Sequence, residues 1–110
     1  MKGGLIINII NSLSYTGNKA WDALDIADIE GASIRLHWTD KPYIWHKNDG
    51  NEVFVVLDGK INMRYRIDKV EQECILIAGD ICFLRQGEEH IASPIGGVAR
   101  VLVIEKKGSL

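Results

Sequence analysis

Two imidazoles, a carboxylate and a carboxamide are the side chains here whose types and spacing could do chemistry. His46, Asn48 and Glu52 fall in the run Trp45-His46-Lys47-Asn48-Asp49-Gly50-Asn51-Glu52, and His90 follows a second segment, Gly79 to Glu89. Asn48-Asp49-Gly50-Asn51 is dense in residues that tolerate positive φ, so the chain reverses there. A reversal of this length points His46, Asn48 and Glu52 into one space. His46, His90 and Glu52 together form the ligand set of a facial triad, which leaves positions open on a transition metal. A carboxylate deep in an apolar interior must otherwise protonate or find a partner, and a divalent cation is such a partner. Each residue also has a plain structural reading. The histidines can be hydrogen-bonded core residues, Glu52 can open a strand at the surface, and Asn48 can simply make the turn.

The elements that would position these groups are short and extended. Leu5 to Ile10 is β-branched and reads as a strand, with Asn11 to Asn18 a polar connection. Ala20 to Glu30 is ambiguous and reads as one helical turn followed by extended chain, an irregular strand being the alternative. Ser33 to Thr39 alternates, with Ile34, Leu36 and Trp38 on one face and Arg35 and His37 on the other. Arg35 and His37 are expected to face solvent, the alternative being that they line the barrel mouth. Tyr43 to Lys47 is the next strand, with Ile44 and His46 on a shared face. Glu52 to Leu57 is apolar on both faces after its first residue, and Asp58-Gly59 is a two-residue hairpin signal. Lys60 to Ile67 alternates, Asp68 to Glu73 is a charged turn, and Cys74–Ile77, Ile81–Leu84, His90–Ala92 and Val98–Glu105 are further strands. Short strands at this spacing predict an antiparallel sandwich or barrel.

The two chemical segments resemble the paired motifs of the cupin superfamily. The first is similar to His-x-His, three or four residues, Glu, six residues, Gly, and here reads His46-x-Asn48, Glu52 and Gly59. The second resembles Gly, five residues, Pro-x-Gly-x-x-His, three residues, Asn, with Gly79, Gly87 and His90 in register. Asn48 stands where cupins usually place a second histidine, Arg85 replaces the motif proline, and Pro94 replaces the closing asparagine. The resemblance implies an all-β, antiparallel double-stranded β-helix (jelly-roll) barrel. It also implies a metal site of His46, Glu52, His90 and, through its carboxamide oxygen, Asn48. The implied cofactor is a divalent transition metal (Fe, Mn, Zn, Ni or Cu), and the implied assembly is a homodimer. The whole chain, 1–110, reads as one cupin domain, with an N-terminal strand and irregular segment over 1–31 and a barrel core over about 32–105.

The bulk properties narrow the function classes. A hydrophobic fraction of 46% and a charged fraction of 25% are those of a globular domain. The formal net charge of -2 supplies no electrostatic footprint for nucleic acid or an anionic membrane. Leu5 to Ile10 is too short for a membrane span and has no cleavage site behind it. Cys74 and Cys82 lie in apolar runs without metal-type spacing and read as reduced core thiols, which predicts a cytoplasmic protein. Trp38, Tyr43, Trp45 and Phe83 read as core or dimer contacts, the alternative being the wall of a pocket, and Arg64 with Arg66 as a solvated strand face, the alternative being anion binding. Three functions remain open. They are a metal-dependent enzyme of oxygenase or isomerase type on a small molecule, a non-catalytic module that binds or senses a sugar-like ligand, and a metal-free scaffold with a vestigial site.

Overall fold

The computed structural model describes residues 7–108. Its strands are β1 (Asp22–Ile29), β2 (Ala32–Thr39), β3 (His46–Lys47), β4 (Glu52–Asp58), β5 (Lys60–Ile67), β6 (Val70–Ile77), β7 (Ile81–Leu84), β8 (Glu89–Pro94) and β9 (Ala99–Lys106). They form a five-stranded sheet, β1-β2-β9-β4-β7, and a four-stranded sheet, β3-β8-β5-β6, with the paired strands antiparallel. The chain is therefore all-β and has the jelly-roll architecture expected of it.

Alternation builds the core. On β4 and β9 every second residue points between the sheets, so Phe54 and Val56 meet Val101 and Val103. From the other sheet come Ile61, Met63 and Ala92. Full burial of side chains such as Val56, Ile61 and Val101 contributes about 1.5–3 kcal/mol each relative to exposure.

Several sequence expectations are corrected. Ile7–Ile10 is not a strand, while Leu5 and Ile6 lie outside the described residues. The helical turn after Ala20 does not form. Trp21 takes φ 57 and β1 starts at Asp22, its register with β2 shifting between Asp25 and Ala27. The apolar residues of this segment fit a strand with an irregularity better than a helix too short to nucleate. Asp58-Gly59 is a corner rather than a hairpin, because β4 and β5 belong to different sheets. Gly59 has φ 78, and a Cβ there would run into the Val98 carbonyl, so the close crossing requires glycine. The two-residue hairpin is instead Asp68-Lys69, with both residues at positive φ and Ile67 opposite Val70. Only those two residues of the charged segment turn, since β6 begins at Val70.

Candidate metal centre

The reversal after His46 also carries the chain from one sheet to the other. β3 lies in the smaller sheet and β4 in the larger, so His46 and Glu52 reach a common space from opposite sides. β3 pairs with β8, which sets His46 directly opposite His90, with ring centroids 4.3 Å apart and planes inclined at 59°. Glu52 opens β4 and is buried between Leu84 on one neighbour and Glu105 on the other. His90 Nε2 lies 3.9 Å from Glu52 Oε1. One ligand atom from each of His46, Glu52 and His90 lies within 4.8 Å of the others.

Backbone contacts hold these side chains in place. The Tyr43 N–H donates to the Ala92 carbonyl at 3.0 Å, and the Asn48 N–H donates to the Glu88 carbonyl at 3.2 Å. His46 is thus suspended between two anchored points. Its Nδ1 lies 2.9 Å from the Ile44 carbonyl, which can only accept, so Nδ1 carries the proton and Nε2 keeps its lone pair. Such an outer contact is what orients a ligating imidazole. Ile44 itself is exposed and is not among the residues lining the cavity, regular strand being confined to His46–Lys47. Tyr43 takes that place, its ring edge-on to His46 at 5.2 Å.

Electrostatics favour a cation. Burial, with the Glu105 carboxyl beside it, pushes Glu52 up to about 8. Burial, with the His46 ring beside it, pushes His90 down to about 4. At neutral pH both groups are therefore uncharged, and their 3.9 Å approach is not an ion pair. His90 Nδ1 lies toward Glu88 but makes no hydrogen bond of good geometry. A neutral carboxyl and two imidazole lone pairs aimed at one point fit a divalent transition ion, which would draw off the carboxyl proton.

Asn48 is buried, and its carbonyl accepts from the Gly87 N–H at 2.8 Å, closing the loop onto the segment before β8. Among the described residues its carboxamide nitrogen has no partner, and the residue does not line the cavity beside the triad.

That cavity holds about 240 Å³. Trp21 and Glu105, which sequence reasoning left out, help complete its lining, together with Arg35, His37 and Tyr43. Arg35 and His37 were expected in solvent. They point inward because Arg35 stands opposite Val103 and His37 opposite Val101, the inward face of β9. His37 Nδ1 faces the Trp21 carbonyl at 3.3 Å, and burial lowers its pKa, so it is neutral with Nε2 a free acceptor. The alternation of β2 carried the signal, but Leu36 on the opposite face is also buried, so apolar content could not show which side is inward.

Known structures share this fold. A cupin-2 domain protein of Shewanella frigidimarina is 26% identical with a TM-score of 0.72, over 83% of this chain and 85% of that one. The chain belongs to the cupin superfamily. A cupin superfamily protein of Desulfitobacterium hafniense matches this cupin over 86% of its length and 85% of its own, at 13% identity and a TM-score of 0.72. Hydroquinone 1,2-dioxygenase of Sphingomonas matches 82% of this cupin with 28% of its own chain, at 18% identity and a TM-score of 0.72. No protein-family model and no curated protein matches the sequence.

Proposed function

We propose that this cupin is a metal-dependent enzyme of oxygenase or isomerase type acting on a small molecule, with His46, Glu52 and His90 holding Fe, Mn, Zn, Ni or Cu. The observation that carries the reading is the convergence of three ligand atoms from two sheets on a cavity that a small molecule can enter. The likeness to a dioxygenase supports it at the level of the fold. A metal held there supplies Lewis-acid polarisation or, where redox-active, oxygen activation. The remaining chemistry belongs to the chain. His46 keeps its proton at Nδ1 on the Ile44 carbonyl, and His37 keeps its own at Nδ1 toward Trp21. His37 Nε2 is then a proton acceptor at the cavity lining. Tyr43, Phe54 and Val103 limit the water that reaches the site.

Elemental analysis of protein purified without chelator, alongside His46→Ala and His90→Ala, tests the reading. One transition metal per chain, lost in both variants, is expected. Wild-type protein that takes up no metal on reconstitution would sink it. Asn48→His tests the fourth position, since tighter metal retention would place that side chain within reach of the ion.

The unpartnered Nδ1 of His90 favours a second reading, because a ligating histidine usually donates its other N–H to a partner. On that reading the barrel binds or senses a small ligand without turnover. A sugar or organic acid that raises the melting temperature and is recovered unchanged would favour it.

We also propose a homodimer in the cytoplasm. Ile75, Ile77, Ile81 and Phe83 are exposed on β6 and β7, the outermost strands of their sheets, an apolar surface suited to a second copy. Cys74 and Cys82 are unpaired thiols, as suits a reducing compartment. No helix among the described residues is long and apolar enough to cross a membrane. Light scattering of purified protein would show the dimer, and a monomer at micromolar concentration would rule it out.

A further inference from the structure

We propose that Arg35 is the anchor for the carboxylate of a small, flat organic acid, which lies in the cavity with its other end toward His46, Glu52 and His90. The inference deepens the metal-enzyme reading by naming a substrate class, and it rests on that reading only for what happens at the far end.

Arg35 is the Lys or Arg side chain that lines this cavity. Its Nε donates to Asp25 Oδ1 at 2.8 Å, on the solvent side, where Asp25 is 83% exposed. Among the described residues nothing accepts from its two terminal nitrogens. The contact at Nε leaves the outer edge of its fork free. That edge matches a carboxylate through two parallel charge-assisted hydrogen bonds. Glu105 lies along the same lining without forming an ion pair to Arg35, so the guanidinium is not already satisfied there.

The shape of the ligand follows from Trp21. This residue takes a left-handed backbone conformation, φ 57, which non-glycine residues adopt only at an energetic cost. The indole edge meets His37 at 5.9 Å and Tyr43 at 5.5 Å, and Tyr43 in turn meets His46. The result is a continuous aromatic side to the cavity, running from the Arg35 region to the triad. At about 240 Å³ the space falls below the roughly 300–1,000 Å³ that takes drug-sized ligands. A single ring bearing one acidic group suits both its volume and its aromatic lining.

Benzoate and benzamide are matched probes, since they differ in the group that Arg35 would hold. Calorimetric titrations into metal-free and zinc-loaded protein, with Arg35→Gln and Arg35→Lys alongside, test the assignment. Benzoate is expected to bind both forms roughly 10-fold or more tighter than benzamide. Arg35→Gln is expected to erase that preference while zinc content stays unchanged, and Arg35→Lys to restore part of it. Benzoate bound no tighter than benzamide in metal-free protein, or a preference that survives in Arg35→Gln, overturns the proposal; the latter would put the carboxylate on the metal. If zinc is never retained yet benzoate is still preferred through Arg35, the metal-enzyme reading fails and this one stands.

Discussion

Glu52 on β4 and Glu105 on β9 stand directly opposite one another, and both carboxyls open onto one cavity. Burial raises both, Glu52 to about 8 and Glu105 to about 7, and the Glu105 carboxyl adds to the shift at Glu52. Two neighbouring acids that resist ionisation make a site that holds protons until a cation replaces them.

Metal affinity should therefore rise with pH. Below about 8 an incoming ion must displace the Glu52 proton, so zinc affinity is expected to strengthen about tenfold per pH unit across roughly pH 6 to 8. Chelator competition at two pH values measures the slope. In Glu52→Gln the affinity should fall by about 100-fold or more, and its dependence on pH across that range should largely vanish. An unchanged slope in the variant would assign the displaced proton to another group.

Stability of the metal-free protein should run the other way. The folded pKa of Glu52 lies above its ordinary value of 4.5, so its contribution is fully present below 4.5 and is lost as pH rises toward 8. Each pH unit in that window removes at most about 1.4 kcal/mol. His90 is depressed from 6.5 to about 4, so its contribution is present above 6.5 and is lost as pH falls toward 4. The two oppose between 4.5 and 6.5, where Glu105, raised to about 7, adds to the Glu52 loss, and above 6.5 the losses at the two carboxyls stand unopposed by His90. Thermal melts of metal-free protein should show a falling melting temperature from about pH 6.5 to 8, less steep in Glu52→Gln and with added zinc.

His46 and Glu52 were legible in the sequence as neighbours because their spacing is set by local chain geometry, and His90 because it falls in register in the second segment. Asn48 to Asn51 must turn, and Glu52 must follow that turn into an apolar strand. The rest of the cavity was not legible, because it depends on pairings distant in sequence. Arg35 and His37 face inward only because β2 lies against β9, and Glu105 enters only through its register with Glu52. Trp21 was hidden for a different reason. Its left-handed backbone precedes an irregular strand, so neither helical nor alternating periodicity describes it. The Asp58-Gly59 pair shows the limit of turn chemistry. The same dipeptide suits a hairpin or a crossing between sheets, and only the pairing of β4 and β5 with other strands decides.

The thiols should be inert in the folded protein. Burial, with the Cys74 thiol beside it, pushes Cys82 up to about 11, and burial also raises Cys74. A thiolate is the reactive form, so both should react slowly with a disulfide reagent near neutral pH and quickly once the chain is unfolded. Fast labelling of native protein at Cys82 would show that β7 opens readily.

Gly59 and Gly87 provide a matched pair for the corner. Both have positive φ, 78 and 87, so alanine is strained at each. At Gly87 an added Cβ meets nothing within 4 Å, and Gly87→Ala should cost about 1 kcal/mol from backbone strain alone. At Gly59 the Cβ would also press on the Val98 carbonyl and on Ala99, which is fully buried. That contact is with backbone at the start of β9, so relief requires moving a core strand rather than turning a side chain. Gly59→Ala should therefore cost about 2–4 kcal/mol or prevent folding, by urea unfolding of the two variants side by side. Equal losses would mean that the corner yields, and that the glycine serves backbone conformation rather than close approach.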